Sequence, residues 1–477
     1  MKHNIILLTD SYKYSHLHQY PADTEFVSSY IEARGGEDES VFFGAQALIK
    51  EYLVGEVVTR EMIDEAEALV TAHGEPFYRE PWDVIVDEFN GRLPVEIETV
   101  AEGTVMPTSN VQLQITNTDP RFYWLPSFLE TLILRGIWYP STVATKSRKM
   151  KVAIARALEK TSDVPVEDQI NFKLHDFGAR GASSSETAML GGMAHLVNFM
   201  GTDTVEGLVG ARRYYNESMP GFSIPASEHS TITSWGRERE VDAYRNMIEL
   251  FSGTGKMYAC VSDSYDIFNA VRNLWGGELK QMVIDSGGTL VVRPDSGDPL
   301  TVPIDVIEIL MEQFGYTTNS KGFKVLPPYI RVIQGDGINE ESLPQILENL
   351  ISRGISVDNI AFGMGGGLLQ AWNRDTLRYA MKASAVMAAD EVWQEVYKDP
   401  VHGGKTSKRG RLGLLHQCGV GICGFSTVPE HIAETRTNLL RPIFRNGRLL
   451  VEESFGEIRK RAALLATDYK PRELERF

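Results

Sequence analysis

Short runs of apolar residues, each closed by a charged or glycine-containing cluster, organise the chain between residues 170 and 367. The closing residues stand 25 to 41 positions apart, close to the roughly 30 residues that a strand and its crossover helix occupy. Continuous apolar runs are typical of buried parallel strands. Between them, apolar residues recur every three to four positions, which predicts helices. The predicted strand ends are marked by His175, Asp203, Glu228, Asp263, Asp295, Asp336 and Gly363.

Seven strand–helix units predict an α/β protein built on an irregular parallel α/β barrel of about seven strands, over residues 151–384. A doubly wound sheet is the alternative. Residues 1–150 and 385–477 differ, because they mix helical periodicity with alternating strand patterns and an Asn446–Gly447 hairpin turn. We predict that both chain ends form one mixed α+β domain into which the barrel is inserted. In either fold the active site lies where the parallel strands end.

The composition narrows the class of ligand. The chain of 477 residues carries 48 Lys+Arg against 64 Asp+Glu, a net charge of −16, which argues against binding nucleic acid or an anionic membrane. Only four consecutive apolar residues precede Thr9 and Asp10, and no run approaches the roughly 20 needed to span a bilayer. The three cysteines form no CxxC pair, so neither a disulfide framework nor a cysteine metal site is expected. We predict a cytoplasmic protein.

A glycine cluster follows the last predicted strand. Gly363, Gly365, Gly366 and Gly367 precede a helix predicted to open at Leu368, with Arg374 two turns into it. Glycines let backbone N–H groups approach an anion, and a helix N-terminus favours negative charge. We favour phosphate binding over the alternative of tight strand–helix packing alone. The cluster is neither a Walker loop nor a G-x-G-x-x-G fingerprint.

Three predicted strand ends carry aspartates. Asp295 follows Arg293, Asp336 stands between glycines, and Asp263 occupies an equivalent position. Carboxylates suit magnesium or ribose hydroxyls, although a single Asp is more often an N-cap or turn residue. Three at corresponding positions favour a site for a sugar phosphate with metal.

Other clusters are less decisive from the residues alone. Phe177 offers a ring for stacking, Arg180 a cation and Asp203 a hydrogen-bond acceptor. His229, beside Glu228, is more often a structural residue than a catalyst when taken singly. The basic segment around Lys405 is predicted to be a solvated loop.

The segments KLHDFGARGASSSETA, PASEHSTIT, RPDSGDPL, YIRVIQGDG and AFGMGGGLLQ, with LTDSYKYSH near the start, resemble the nicotinamide phosphoribosyltransferase family in sequence and in order, nearly from end to end. The resemblance implies a type II phosphoribosyltransferase fold and a homodimer with shared active sites. It implies the conversion of nicotinamide and phosphoribosyl pyrophosphate to nicotinamide mononucleotide and pyrophosphate in NAD salvage, with magnesium as cofactor and ATP as coupling substrate.

The resemblance also implies roles for individual residues. Phe177 and the partner's Tyr12 would stack on the pyridine ring, Asp203 would accept the carboxamide NH₂, and Arg293 would lie near the base. The ribose and its 5′-phosphate would contact Asp295, Gly335, Asp336, Gly365, Gly366 and Arg374. Pyrophosphate would face Arg34, Arg180, Lys382, Lys398 and Lys405. His229 would be phosphorylated by ATP, and Asp263 and Asp295 would reach magnesium through pyrophosphate and water.

Two positions differ from the family pattern, since Ala259 replaces a serine lining the passage to the base and Met364 replaces a small polar residue. Three alternatives remain. A nicotinate phosphoribosyltransferase would share the fold, although Asp203 would repel its acidic substrate. A non-catalytic nicotinamide or nucleotide sensor would keep the pocket without turnover. A barrel enzyme acting on another phosphorylated sugar would share the strand pattern.

Overall fold

The computed structural model describes residues 3–401, 406–419 and 422–469. The chain divides into two compact units. Unit 1 comprises residues 1–145, 210–217 and 372–462, and unit 2 comprises residues 146–209, 218–371 and 463–477. The predicted domain limits, 1–150 with 385–477 and 151–384, stay a prediction.

An antiparallel sheet of seven strands forms the centre of unit 1. Across the sheet the strands are Trp393–Glu395, Ala380–Ala388, Thr24–Glu32, Val111–Asn117, Val95–Thr99, Arg441–Arg445 and Arg448–Leu449. The last two strands form the predicted hairpin, whose turn residues Asn446 and Gly447 have φ of 49° and 78°. Positive φ at both positions is the geometry that Asn-Gly favours. Two separate two-stranded antiparallel sheets pair Glu39–Val41 with Val105–Pro107 and Leu412–Gly419 with Ile422–Pro429.

Amphipathic helices cover this sheet and bury the main apolar core of unit 1. The Arg60–His73 helix begins at the N-cap Thr59 and ends at Gly74, whose φ is 99°, a left-handed conformation that is common at helix C-termini. The other helical segments of unit 1 are Ile5–Leu7, Ser11–His18, Ala45–Tyr52, Arg79–Phe89, Pro120–Phe122, Leu125–Phe128, Glu430–Glu434 and Phe455–Ala462. The helices Glu130–Thr161 and Val205–Tyr215 run across unit boundaries.

Unit 2 contains a parallel sheet of six strands. In order across the sheet they are Gly201–Thr202, Leu174–Asp176, Ile360–Met364, Ile330–Gln334, Thr289–Arg293 and Met257–Val261. All six coincide with predicted apolar runs, which confirms the parallel α/β class. A separate short hairpin pairs Thr317–Thr318 with Lys324–Val325.

The run before Glu228 forms no regular strand. Its residues make isolated parallel bridges, Phe222 with Gly201 and Ala226 with Ala259, to the two edge strands of the sheet. The Thr202 N–H donates to the Phe222 carbonyl at 3.0 Å, and the Ala259 N–H donates to the Pro225 carbonyl at 2.9 Å. Proline lacks the backbone N–H that a continuous ladder needs, so the described sheet has six strands rather than seven.

Helices follow the strands of unit 2 as the periodicity predicts. Glu240–Phe251, Val302–Phe314 and Ser342–Ser352 match predicted helical segments. The predicted helix after Asp263 is irregular, with a short α-helix Ile267–Asn269 continued by a π-helix Ala270–Glu278. The other helical segments are Val166–Gln169, Ile170–Phe172, Ala179–Gly181, Ser185–Leu196, His229–Thr233, Arg237–Arg239, Lys280–Asp285, Val357–Asn359, Gly366–Leu369 and Ala466–Tyr469.

No helix among the described residues combines the length and apolar composition needed to cross a membrane.

Candidate active site at the strand ends of unit 2

The predicted site residues of unit 2 gather at the carboxyl edge of the parallel sheet. Phe177, Asp203, Asp263, Asp295 and Asp336 each lie within two residues of a strand end. Parallel strands point the same way, so their following loops share one edge. The register carries these separate sequence clusters to a common surface.

His229 lies between two of the aspartates. Its Nε2 is 2.9 Å from Asp263 Oδ1, and its Nδ1 is 4.0 Å from Asp295 Oδ2. The imidazole begins the short helix His229–Thr233, whose N-cap residue Glu228 forms a capping box with Thr231. Asp263 is almost fully buried while His229 is half-exposed. This arrangement holds the ring in place while leaving it open to a ligand.

Ser296 completes the hold on Asp263, a contact that the sequence pattern did not single out. Its hydroxyl donates a hydrogen bond to Asp263 Oδ2, the oxygen that does not face His229. Both carboxylate oxygens are therefore engaged. The only signal in the sequence was the position of Ser296 one residue after Asp295.

Arg293 connects the acidic cluster to the aromatic residue. Its Nε and Nη2 donate to Asp295 Oδ1 at 3.0 and 2.8 Å, and its guanidinium carbon lies 5.2 Å from the centre of the Phe177 ring. Gly363 allows Phe177 to adopt this position, because a Cβ there would lie 2.0 Å from Phe177 Cε2. The Phe177 N–H donates to the Met364 carbonyl at 2.9 Å.

Asp203 is exposed, but both its side chain and its backbone are hydrogen-bonded. Its carboxylate accepts a hydrogen bond from the Ser223 hydroxyl, and its backbone N–H donates to the Asp176 carbonyl at 2.9 Å. Burial raises the pKa of the Asp176 carboxyl to about 6. Ser223 is a second contact that the sequence pattern did not single out.

A cavity of about 540 Å³ passes these residues. Phe177, Asp203 and Arg293 line it, as does Ala259, one of the two departures from the family pattern. Ala259, Val291 and Ile333 form a small apolar cluster against which Phe177 packs. Apolar walls with a few polar groups are typical of sites for small aromatic ligands.

The glycine cluster is organised differently from its prediction. The helix after it spans only Gly366–Leu369, and Arg374 lies in a turn beyond it, with its guanidinium 3.3 Å from Asp375. The predicted longer helix carrying Arg374 is therefore wrong. The turn that contains Arg180 does lie against the glycines, since a Cβ on Gly181 would be 3.1 Å from the Gly366 Cα.

Among the residues predicted to bind the ribose and its phosphate, Gly335 lies next to the acidic cluster, whereas Asp336 and Gly365 have other surroundings. Gly335 lies beside the acidic cluster, because a Cβ there would be 3.2 Å from Asp295 Oδ1 and 3.3 Å from Arg293 Nε. Asp336 is exposed, and its backbone carbonyl accepts a hydrogen bond from Gln334 at 2.8 Å. Gly365 is the N-cap residue of the short helix.

No group of three or more His, Cys, Asp or Glu in the described part of the chain is arranged to bind a metal ion. Asp263 and Asp295 give too few direct ligands, and three of their four carboxylate oxygens already have protein partners. These residues fit magnesium only if the substrate supplies most of its oxygen ligands, as magnesium sites on phosphates commonly do.

The remaining predicted residues belong to unit 1. Tyr12 is 55% exposed, which leaves its ring available for stacking. Arg34 donates from Nε to Glu32 at 2.9 Å, and Lys382 lies 3.9 Å from Glu130. Lys398 is exposed, while Lys405 lies outside the described residues.

The composition of the basic segment after Lys405 predicts a solvated loop, but Lys408 and Arg411 are ion-paired there, whereas Arg409 is 60% exposed. Lys408 pairs with the buried Glu32. Arg411 pairs with Glu98 and Glu430 and is only 16% exposed. Ion pairing with partly buried carboxylates explains why these cations are fixed.

Comparison with protein families identifies two regions. Residues 172–447 match the nicotinate phosphoribosyltransferase (NAPRTase) family, and residues 4–97 match the N-terminal domain of nicotinamide phosphoribosyltransferase. The chain is 51% identical to the nicotinamide phosphoribosyltransferase of Xanthomonas campestris pv. campestris, covering 96% of this chain and 98% of that protein. It is 32% identical to the enzyme of that name from Mycoplasma pneumoniae, covering 84% and 93%.

Solved structures agree on the fold. Nicotinate-nucleotide pyrophosphorylase from Pyrococcus furiosus has a TM-score of 0.62 at 18% identity, covering 98% of this chain and 96% of that one. Human nicotinic acid phosphoribosyltransferase has a TM-score of 0.55 at 16% identity, covering 98% and 95%. From the matched families and relatives together, the chain belongs to the nicotinamide phosphoribosyltransferases of the NAPRTase family.

Proposed function

We propose that the chain is a nicotinamide phosphoribosyltransferase of NAD salvage, which makes nicotinamide mononucleotide and pyrophosphate from nicotinamide and phosphoribosyl pyrophosphate. The observation that carries this proposal is the shared cavity of Phe177, Asp203 and Arg293. It offers a planar ring, a carboxylate and apolar walls to a neutral pyridine amide. The names of the relatives support the same reaction.

The reaction needs positioning and charge stabilisation rather than a general base. The pyridine nitrogen of nicotinamide has a free lone pair and attacks the anomeric carbon, while the bond from that carbon to pyrophosphate breaks. Positive charge develops on the ribose ring, and Asp295 is the carboxylate we assign to stabilise it. Arg293 fixes Asp295 through two N–H donors, so little reorganisation is needed at the moment of reaction.

Asp203 sets the choice of base. Its carboxylate accepts a hydrogen bond from the carboxamide NH₂ of nicotinamide and repels the carboxylate of nicotinic acid. Ser223 orients it by donating to Oδ1. The preference therefore combines attraction for the amide with repulsion of the acid.

His229 is the residue we propose for coupling to ATP. Asp263 can only accept a hydrogen bond when ionised, so the imidazole N–H facing it is that of Nε2. Nδ1 of the neutral ring then keeps its lone pair. That nitrogen attacks the terminal phosphorus of ATP, ADP leaves, and the phosphohistidine places negative charge close to Asp295. We infer that its later hydrolysis is coupled to the productive binding of phosphoribosyl pyrophosphate.

Magnesium fits this site through the substrate. Asp263 and Asp295 would hold it through water and pyrophosphate oxygens, and when bound it would help to neutralise the departing pyrophosphate. We also assign the 5′-phosphate to Gly365, Gly366 and Arg374. We assign the pyrophosphate to Arg34, Arg180, Lys382, Lys398 and Lys405.

We propose a homodimer whose partner supplies Tyr12 to the base. An apolar surface beside Asp203 supports an interface there, because Val205, Met219 and Phe222 are each about half-exposed or more. We further propose that residues 222–226 close the six-stranded sheet of unit 2 into an irregular barrel, since they bridge both of its edges. The two compact units are our candidates for its domains.

The test is mononucleotide formation from phosphoribosyl pyrophosphate and magnesium with either base, with and without ATP. We expect product from nicotinamide, a higher yield with ATP, and no ATP effect in His229→Ala. Product from nicotinic acid alone would make the chain a nicotinate phosphoribosyltransferase. Binding of both substrates without turnover would identify a sensor. An ATP effect that survives in His229→Ala would contradict the coupling role.

A further inference from the structure

Unit 1 contains a cationic cluster organised around one carboxylate. Lys13 and Lys382 both lie against Glu130, and Arg34, Lys13 and Arg374 each lower the pKa of the Lys382 ammonium. Arg34 and Arg374 have acidic partners of their own, Glu32 and Asp375. Glu130 is the acidic group that faces both lysines.

Lys13 fixes Glu130. The Lys13 ammonium is 2.7 Å from Glu130 Oε2 and donates to the Ser127 carbonyl at 2.8 Å. The Lys13 side chain is only 3% exposed, so it cannot swing out to a ligand. Its role is internal, because a buried ammonium of this kind needs both acceptors to offset its desolvation.

The second oxygen of Glu130 faces Lys382. Oε1 lies 3.9 Å from the Lys382 ammonium, which stands on the Ala380–Ala388 strand opposite Tyr30. The Lys382 side chain is 41% exposed and open to a ligand. Lys13 and Lys382 thus take opposite oxygens of one carboxylate, the first buried and the second accessible.

We propose that Glu130, oriented by Lys13, is a positioning residue that holds the Lys382 ammonium charged and in place for the pyrophosphate group of the substrate. This inference rests on the proposed function, which assigns Lys382 to pyrophosphate. The sequence segments that resemble the family do not include Glu130, and the resemblance assigns no role to Lys13. A carboxylate beside a substrate-binding cation weakens direct attraction to the anion, but it fixes the cation before the anion arrives.

The charges around Lys382 support this role. Burial lowers the pKa of the Lys382 ammonium, and Arg34, Lys13 and Arg374 lower it further, whereas Glu130 raises it. Of these facing groups, only Glu130 favours the charged lysine. The ammonium also donates a hydrogen bond to the Met381 backbone carbonyl. Glu130 is therefore the charged neighbour, not the only partner, that favours the charged lysine.

The experiment uses the full-length variants Glu130→Gln and Lys13→Met. At neutral pH we expect Glu130→Gln to raise KM for phosphoribosyl pyrophosphate about tenfold and to change KM for nicotinamide less than twofold. The alkaline limb of kcat/KM should move to lower pH in Glu130→Gln, because Lys382 loses the group that raises its pKa. It should move to higher pH in Lys13→Met, because a cation that lowers this pKa is removed.

Opposite pH shifts are what a merely structural role would not produce. Glu130 also begins the Glu130–Thr161 helix, where a carboxylate stabilises the N-terminus, so thermal midpoints are measured alongside. Glu88→Gln is the matched control, since Glu88 pairs with Arg121 on the exposed surface. Equal changes in both KM values, or pH limbs that do not separate, would overturn the proposal.

Calorimetric titration with inorganic pyrophosphate separates the two levels of inference. It needs no turnover, so it reports on Glu130 even if the wild-type protein forms no mononucleotide. We expect about tenfold weaker binding in Glu130→Gln than in wild type or Glu88→Gln. Equal affinities would contradict the role of Glu130, whereas absence of turnover in the wild type would contradict the proposed function.

Discussion

Single side chains of unit 2 owe their proposed chemistry to a second residue that orients them. Ser223 holds Asp203, Ser296 holds Asp263, and Arg293 holds Asp295. In each case the partner donates a hydrogen bond to one carboxylate oxygen and so fixes the direction in which the other oxygen points. Fixed carboxylates discriminate between ligands better than mobile ones, because a wrong ligand cannot be accommodated by a rotation.

Asp203 gives the prediction at this scale. We expect Asp203→Ser to lower the ratio of kcat/KM for nicotinamide to that for nicotinic acid at least about tenfold, equivalent to about 1.4 kcal/mol. The substitution removes both the acceptor for the amide and the repulsion of the acid. The measurement is kcat/KM for each base at fixed phosphoribosyl pyrophosphate.

Ser223→Ala is the matched control, because it keeps the charge of Asp203 and removes only its hydrogen bond. Its ratio should change less than that of Asp203→Ser. An unchanged ratio in Asp203→Ser would exclude Asp203 as the residue that selects the base.

At the scale of elements, adjacent parallel strands bring Phe177 and Gly363 together. The Leu174–Asp176 and Ile360–Met364 strands pair with His175 opposite Gly363, so the ring that follows the first strand lies over the glycine of the second. The missing side chain at residue 363 is therefore a requirement of sheet register and ring position. Phosphate binding is not needed to explain that particular glycine.

We expect Gly363→Ala to displace the Phe177 ring and to raise KM for nicotinamide about tenfold or more. The new Cβ would lie 2.0 Å from Phe177 Cε2, closer than any nonbonded contact allows. The measurement is KM for nicotinamide together with the thermal midpoint.

Gly277→Ala is the control, since the nearest atom to its Cβ would be the Arg272 carbonyl oxygen at 3.6 Å. That substitution should leave KM for nicotinamide unchanged. A normal KM in Gly363→Ala would mean that Phe177 does not contact the base.

At the scale of the whole molecule, the residues assigned to the substrates belong to both compact units. The predicted base and pyrophosphate residues Tyr12, Arg34 and Lys382 belong to unit 1, whereas Asp203, His229 and Asp295 belong to unit 2. A homodimer with shared sites makes a specific prediction about mixed dimers. An inactivating substitution in unit 1 of one subunit and an inactivating substitution in unit 2 of the other should leave one intact active site in the mixed dimer.

We expect Tyr12→Ala and Asp295→Asn, each nearly inactive alone, to regain about a quarter of wild-type activity when co-expressed with different tags. Half of randomly assembled dimers are mixed, and each mixed dimer has one intact site of two. The measurement is mononucleotide formation by the purified mixture. Activity no higher than that of the separate variants would argue against shared sites.

The sequence predicts much of this protein. Apolar runs predict the six parallel strands because burial on both faces requires continuous apolar residues, and Asn446–Gly447 predicts its hairpin because those residues tolerate positive φ. His229 and Lys405 acquired a predicted role only from the family resemblance. A lone histidine or lysine has no local pattern that separates catalysis from structure.

The errors arise where local pattern and tertiary contact disagree. The run before Glu228 has strand-like composition, but Pro225 and single bridges to two edges prevent a regular strand. The helix after the glycines ends at Leu369, before Arg374. Lys408 and Arg411 look like loop cations until the carboxylates that pair with them, distant in sequence, are located.

By itself the sequence determined the parallel α/β class, six of the seven predicted strand ends and the chemical types gathered there, since these depend on local periodicity and composition. Only the tertiary structure decided which side chains meet. Three contacts join residues far apart in the chain. His229 pairs with Asp263, Phe177 lies beside Arg293 and Gly363, and Glu130 contacts both Lys13 and Lys382. Such contacts depend on strand order and register, which no local segment encodes.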